Sequence, residues 1–315
     1  MLEAFLRRYP TYARTTRLDE LRNTDYKRLD RNEHVYLDYT GGGLYADSQL
    51  RDHMALLEAH VFGNPHSRNL TSCAMNGIID RTRDDILRYF NASDDEYMVI
   101  FTPNSTGALK LLGESYPFGP GTAFALTADN HNSVNGIREF AHHDGAAVKY
   151  VPIVAPELRV PEAALTRVLD SYPEAPHKLF AFPAQSNFSG VQHPLQWIDD
   201  ARERGWDVLL DAASFVPSNR LDLSAVHPDF VDLSFYKMFG YPTGVGCLLA
   251  RRAAVSKLVR PWYAGGTITF STVCTQDHYL TPGHARFEDG TVNYLGIPAV
   301  SLGLAHLQAI GIDVI

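Results

Sequence analysis

Cysteine is scarce in this chain: Cys73, Cys247 and Cys274 are the only three in 315 residues, and none stands in a CxxC spacing. That excludes a disulfide framework or a zinc ribbon, both of which need paired or closely spaced thiols. Long apolar runs are missing as well. No stretch reaches the roughly 18–20 apolar residues that a membrane-spanning helix needs, and the opening MLEAFLRRYPTYARTTR has no signal-peptide core. A cytoplasmic protein without a membrane partner is expected. Basic clusters are lacking too, since 28 Lys and Arg against 36 Asp and Glu leave a formal charge of −8, which argues against a nucleic-acid partner. The 13 histidines do not make up for missing metal ligands, because the adjacent His142 and His143 would point to different sides of a helix. No metal site is expected.

What is present is an ordinary apolar fraction, 45%, enough for one large α/β domain or two smaller ones. The informative stretch is WDVLLDAASFVPSNRLDLSAVHPDFVDLSFYKMFGYPTGVGCLLA, residues 206–250. Val208-Leu209-Leu210 ends in Asp211, and Val231-Asp232-Leu233 ends in Ser234; Lys237 follows three residues later, ahead of a Gly/Pro-rich loop. Continuous apolar runs bounded by turn residues read as buried strands of a parallel sheet, whose ligands sit beyond the carboxyl ends. Asp211 and Ser234 fall at such ends. An amine for a Schiff base, a carboxylate for a pyridine nitrogen and a hydroxyl for a phosphate are the groups that pyridoxal phosphate requires. Singly, each has a plainer reading: a solvated lysine, or a turn-capping aspartate.

Before that stretch, residues 1–34 read as an arm with helix, and Val35 to Asp38 as a short strand running into Thr40-Gly41-Gly42-Gly43, a close-approach loop or a flexible one. Helices are expected over Asp47–Phe62, with Leu50, Met54, Leu57 and Val61 on one face, and over Asn76–Phe90. The strand Tyr97–Thr102 then leads through Pro103-Asn104-Ser105-Thr106-Gly107 into a helix. Strand, small-residue turn and helix start form an anion site, which puts a phosphate on Ser105 and Thr106; a simple cap at Ser105 would use the same residues. His131 follows the strand Thr122–Leu126, either as a flat aromatic partner for a ring or as a cap. Further strands are expected at 148–151, 178–182 and 244–250, and Cys247 is expected to be core.

SFYKMFGYPTGVG, with DAASFVPSNRLDLS before it, resembles the class V, cysteine desulfurase-like branch of fold-type I pyridoxal phosphate enzymes. Within that branch the chain is most similar to the amino-terminal domain of molybdenum cofactor sulfurases, from about Tyr36 onward. The resemblance implies an α/β large domain over 35–290, with a mostly parallel seven-stranded sheet and helices on both faces. It implies that 291–315 begin a linker helix toward a small domain outside this chain, which in the family carries the substrate-binding arginine and the persulfide cysteine. It implies a lysine adduct at Lys237, a pyridinium partner at Asp211, ring stacking by His131, and phosphate contacts from Ser105, Thr106, Ser234 and, across a homodimer, Thr267. Asn187, otherwise a plain turn asparagine, matches the asparagine that bonds the cofactor's phenolic oxygen or the substrate carboxylate, while Ser214 and Tyr236 stand where free-cysteine desulfurases carry Gln and His. The implied substrate is L-cysteine and the implied sulfur acceptor a molybdenum cofactor. A cysteine or selenocysteine lyase is the alternative chemistry, and a non-catalytic binding fragment the alternative outside enzymology.

Overall fold

The computed structural model describes residues 2–259 and 263–315; Met1, at the head of the expected arm, lies outside the described residues. The strands are β1 (Tyr97–Thr102), β2 (Ala123–Thr127), β3 (Ala147–Val151), β4 (Lys178–Pro183), β5 (Asp207–Asp211), β6 (Phe230–Ser234) and β7 (Gly246–Arg251). They form one sheet in the order β1-β7-β6-β5-β4-β2-β3. β7 runs antiparallel to both its neighbours, and the pairings from β6 through β3 are parallel. A separate hairpin joins β8 (Ile268–Ser271) to β9 (His278–Leu280).

The central strands are apolar on both faces because both faces are covered. Val99, Phe101, Phe182, Val208 and Leu210 belong to one core with the helices Leu70–Tyr89, Trp197–Glu203 and Pro298–Ile310. Their neighbours Met98, Ile100, Ala181 and Leu209 belong to a second core with the helices Ser105–Ser115 and Ile137–His143. The α/β sandwich expected from the apolar runs is therefore the one formed, and Cys247 is core.

The expected strand at Val35–Asp38 does not form. This segment is extended but unpaired, with Val35 and Leu37 80% and 84% exposed. It reaches no sheet edge, and the free edge of β1 is already occupied. There the Phe101 N–H donates to Glu288 Oε1 at 2.8 Å, and Arg83 Nη1 donates to the Val99 carbonyl at 2.7 Å. Arg83 and Glu288 also pair with each other at 2.9 and 3.1 Å, both nearly out of solvent.

Two helices differ from expectation in ways their polar residues explain. The first spans Asp47–Ala59, and its most buried positions are Gln49 and His53, while Met54 and Val61 are exposed. Gln49 Oε1 accepts from the Ala46 N–H at 2.7 Å, and His53 bridges Tyr241 Oη and the Leu295 carbonyl at 2.7 and 2.8 Å. With both His53 ring nitrogens and the Gln49 carbonyl oxygen bonded, these polar side chains can occupy the inner face. The second helix begins at Leu70 rather than Asn76, because Asn69 caps it by accepting from the Ser72 N–H. The arm is helical over Leu2–Arg8, Thr16–Thr24 and Arg28–Arg31, none of which buries a residue fully. It is tied to the body by Tyr26 Oη with His306 at 3.1 Å and by Arg28 with Asp47 at 2.8 Å.

Candidate active site at the carboxyl ends of the strands

The turns after β1, β2, β4, β5 and β6 converge on Lys237. A short helix, Phe235–Phe239, starts directly from β6; it buries Phe235, Met238 and Phe239 and leaves Tyr236 and Lys237 half-buried. It is held from outside by the glycine loop, whose Gly43 N–H donates to the Tyr236 carbonyl at 3.0 Å. A Cβ on Gly43 would stand 3.0 Å from the Lys237 carbonyl, and one on Gly240, at φ +79°, would run into the backbone N of Tyr45. Two glycines thus let two backbones touch and fix the turn that carries the lysine. The triple-glycine run is a close-approach loop, and its contact is with the lysine's own backbone. Among the described residues the Lys237 amine makes no hydrogen bond or ion pair.

Facing it at the end of β5 is Asp211, whose Oδ1 accepts from the Ala213 N–H at 3.0 Å. Directly across the strand pair, in register with it, lies Asp232 of β6. Asp232 is wholly buried and its Oδ2 accepts from the Ser105 hydroxyl, whereas its Oδ1 has no protein partner in the hydrogen-bond geometry. Burial, the Asp211 charge beside it and only partial relief from Ser105 and Lys237 push the Asp232 carboxyl well above the usual range. Burial raises Asp211 too, but the Ala213 N–H and the charges of Lys237 and His131 draw it back. Both carboxyls are thus raised, and Asp232 the more strongly.

The helix Ser105–Ser115 is capped by Asn104, whose Oδ1 accepts from the Gly107 N–H at 2.9 Å; Ser105 itself is not the cap. Ser105 faces inward, its N–H donating to Ser234 Oγ at 2.9 Å and its hydroxyl to Asp232. Thr106 is exposed, and its hydroxyl lies 2.8 Å from Ser133 Oγ. The residue opening β7 must be glycine for this loop to lie down, since a Cβ on Gly246 would be 2.6 Å from Asn104 Cα. His131 caps the next short helix, its Nδ1 accepting from the Ser133 N–H at 3.1 Å, so that in the neutral ring the proton sits on Nε2; its ring is exposed. The loop beneath is pinned by Asp129 and His193, 2.9 Å apart and both buried.

Ser214 and Lys237 share a cleft of about 600 Å³ with Tyr39, Thr40, Gly43 and Gln185, walled on the far side by Leu21 and Tyr26 of the arm. Tyr236 lays its ring against Gly42, 3.4 Å from where a Cβ there would stand. Asn187 is exposed on the loop after β4 and is not joined to this group by a hydrogen bond. Thr267 is buried at the base of the β8–β9 hairpin, its hydroxyl donating to the Tyr263 carbonyl at 3.2 Å. It makes no bond to the lysine cluster of its own chain. Among the described residues no three His, Cys, Asp or Glu side chains are grouped to hold a metal. Sequence reasoning passed over Asp232, Ser133 and the Asp129–His193 pair. The signal at Asp232 was a carboxylate inside a run read as a buried strand.

A sheet of this strand order, with helices on both faces and a lysine one turn beyond a strand end opposite a carboxylate, defines a fold-type I large domain. The chain belongs to the class-V aminotransferase family, whose model, Aminotransferase class-V, matches residues 35–315. Among curated relatives, molybdenum cofactor sulfurase of Homo sapiens is 38% identical, over 92% of this chain and 34% of its own length. The same-named proteins of Bos taurus and Arabidopsis thaliana are 37% and 35% identical, over 94% and 98% of this chain. The chain spans 35% and 42% of the lengths of those two relatives. Among solved structures, a cysteine desulfurase from Thermococcus onnurineus superposes with a TM-score of 0.81 at 22% identity, over 93% of this chain and 71% of that one. A cysteine desulfurase from Escherichia coli gives 0.74 at 21% identity, over 88% and 69%.

Proposed function

We propose that this chain holds pyridoxal phosphate on Lys237 and serves an enzyme that takes sulfur from L-cysteine for delivery to a molybdenum cofactor. The observation that carries the reading is the unengaged Lys237 amine set opposite the buried, paired carboxyls of Asp211 and Asp232. The relatives called molybdenum cofactor sulfurase, at 35–38% identity, support the choice of sulfur acceptor. When bound, the cofactor supplies an electron-withdrawing pyridinium ring that stabilises negative charge at the substrate Cα. Lys237 would anchor its aldehyde and, once freed, move the proton at the substrate Cα. Asp211 would hold the ring nitrogen protonated, and the exposed His131 ring would cover the cofactor face. The start of the helix Ser105–Ser115, with Thr106, Ser133 and Ser234 at its mouth, would hold the phosphate. Ser214, Tyr236 and Asn187 are left to bond the cofactor oxygen or the substrate carboxylate.

The reading divides the chain into an arm, 1–34, a cofactor-binding body, 35–290, and a connector, 291–315. It also includes a homodimer in which Thr267 serves the neighbouring site. The β8–β9 hairpin supports that part, because it carries Thr267 at its base and exposes Phe270, Val273 and Tyr279. In the overall reaction L-cysteine and an acceptor thiol give alanine and a persulfide. Cofactor-loaded protein supplied with L-cysteine and a thiol acceptor should release alanine in step with persulfide. Pyruvate with free sulfide in place of alanine would replace transfer by elimination.

A further inference from the structure

Asp232 has no part in the chemistry above, yet it is among the most completely buried charged residues of the molecule. It lies in the middle layer of the site. Its Oδ2 takes the hydroxyl proton of Ser105 at the start of the helix Ser105–Ser115, and the Cα register sets it against Asp211 on the adjacent strand. Its Oδ1 is sealed from solvent and no donor reaches it. An orphaned buried carboxylate oxygen beside a second buried carboxylate is costly if both are ionised and favourable if one carries a proton to share. The groups facing it are Asp211 from β5, Lys237 from the helix Phe235–Phe239 and Ser105 from its own helix, with Cys247 on β7 and Arg83 behind that. The Lys237 charge acts on both acids, and that of His131 on Asp211 as well.

We propose that Asp232 is a positioning residue: held as the neutral acid, it donates from Oδ1 to Asp211 and fixes that carboxylate as the anion of the pair. The Ala213 N–H and Asp232 then hold Asp211 from two sides, while the Ser105 hydroxyl fixes Asp232 in turn. The device links the helix start that would take the phosphate to the carboxylate that would take the ring nitrogen. This inference rests on the cofactor reading for its purpose, but its protonation state belongs to the unloaded chain and is tested there.

The experiment compares the wild-type chain with Asp232→Asn, which keeps an acceptor for Ser105 and a donor for Asp211 without an ionisable proton. In the folded state Asp232 binds its proton far above the pH at which the unfolded chain releases it, so its contribution to stability is full below the ordinary carboxylate range and declines as pH rises. The ratio of the wild-type unfolding constant to that of Asp232→Asn should therefore climb about tenfold per pH unit between roughly pH 5 and 7. The infrared spectrum of the unloaded wild type at neutral pH should show a protonated carboxyl stretch that Asp232→Asn lacks. In the second arm, pyridoxal phosphate should bind Asp232→Asn within a few-fold of wild type and Asp232→Leu about tenfold or more weakly, since Leu cannot bond Asp211. A flat ratio with no carboxyl band would overturn the proposal, whether or not the cofactor binds. If the stability and infrared results hold and no variant, wild type included, takes up the cofactor, the cofactor reading fails while the shared proton stands.

Discussion

Arg83→Ala is expected to destabilise the fold by about 3–5 kcal/mol, the range for breaking one side of a buried ion pair and leaving the other charge uncompensated. The Arg83 guanidinium is 10% exposed and Glu288 8%, so solvent does little to screen them. More than the pair itself is at stake. Glu288 satisfies the Phe101 N–H on the free edge of β1, and Arg83 satisfies the Val99 carbonyl two residues away. Losing Arg83 exposes an unpaired strand edge as well as a buried carboxylate. Burial alone would push the Glu288 carboxyl up, but His284 and Arg83 outweigh it and hold the group below its ordinary 4.5. The contribution is therefore complete above the unfolded-chain value and is lost as pH falls through the lower folded value. Denaturant midpoints of wild type and Arg83→Ala, taken at pH 7 and again near pH 3, should differ widely at the first and less at the second, where only the lost bond to the Val99 carbonyl remains. Equal differences at both would show that the pair is not what stabilises the edge.

Asp211→Ala is expected to weaken pyridoxal phosphate binding by about 10- to 100-fold, the loss of one hydrogen bond to a charged group in a site closed to water. The side chain is 7% exposed and is held by the Ala213 N–H. The same change should leave the fold intact, because the charge it removes is a buried one that carries a desolvation cost of its own. Cofactor titration followed by absorbance, together with a melting curve, separates the two effects. Undiminished affinity would remove Asp211 from the site.

The sheet was legible because its strands are continuous apolar runs closed by turn residues, a pattern that a two-sided burial demands; β1, β4 and β5 stand within a residue of expectation. The residues at strand ends followed from that, since a run ending in Asp211 or Ser234 places the side chain without further information. What failed were places where a long-range partner decides. Val35–Asp38 has the composition of a strand but no edge to join, and that edge was closed by Glu288, 187 residues from Phe101 in sequence. His53 sits inward because Tyr241 and Leu295 receive it, which helical periodicity cannot register. Asp232 was hidden for a related reason: it stood inside a run read as a buried strand, and only the register with β5 shows that it meets another acid there. The glycines at 41–43 were read as a close-approach loop or a flexible one, and Gly43 among them proved to meet the backbone around Lys237.

The central claim is that Lys237 carries the cofactor, and peptide mapping after reduction tests it most directly. The chain is equilibrated with pyridoxal phosphate, treated with borohydride, digested and read by mass spectrometry beside Lys237→Ala. The account predicts a single phosphopyridoxyl modification, on Lys237, absent from the variant. The same label spread over exposed lysines such as Lys27 and Lys110, with Lys237 unmodified, would contradict it.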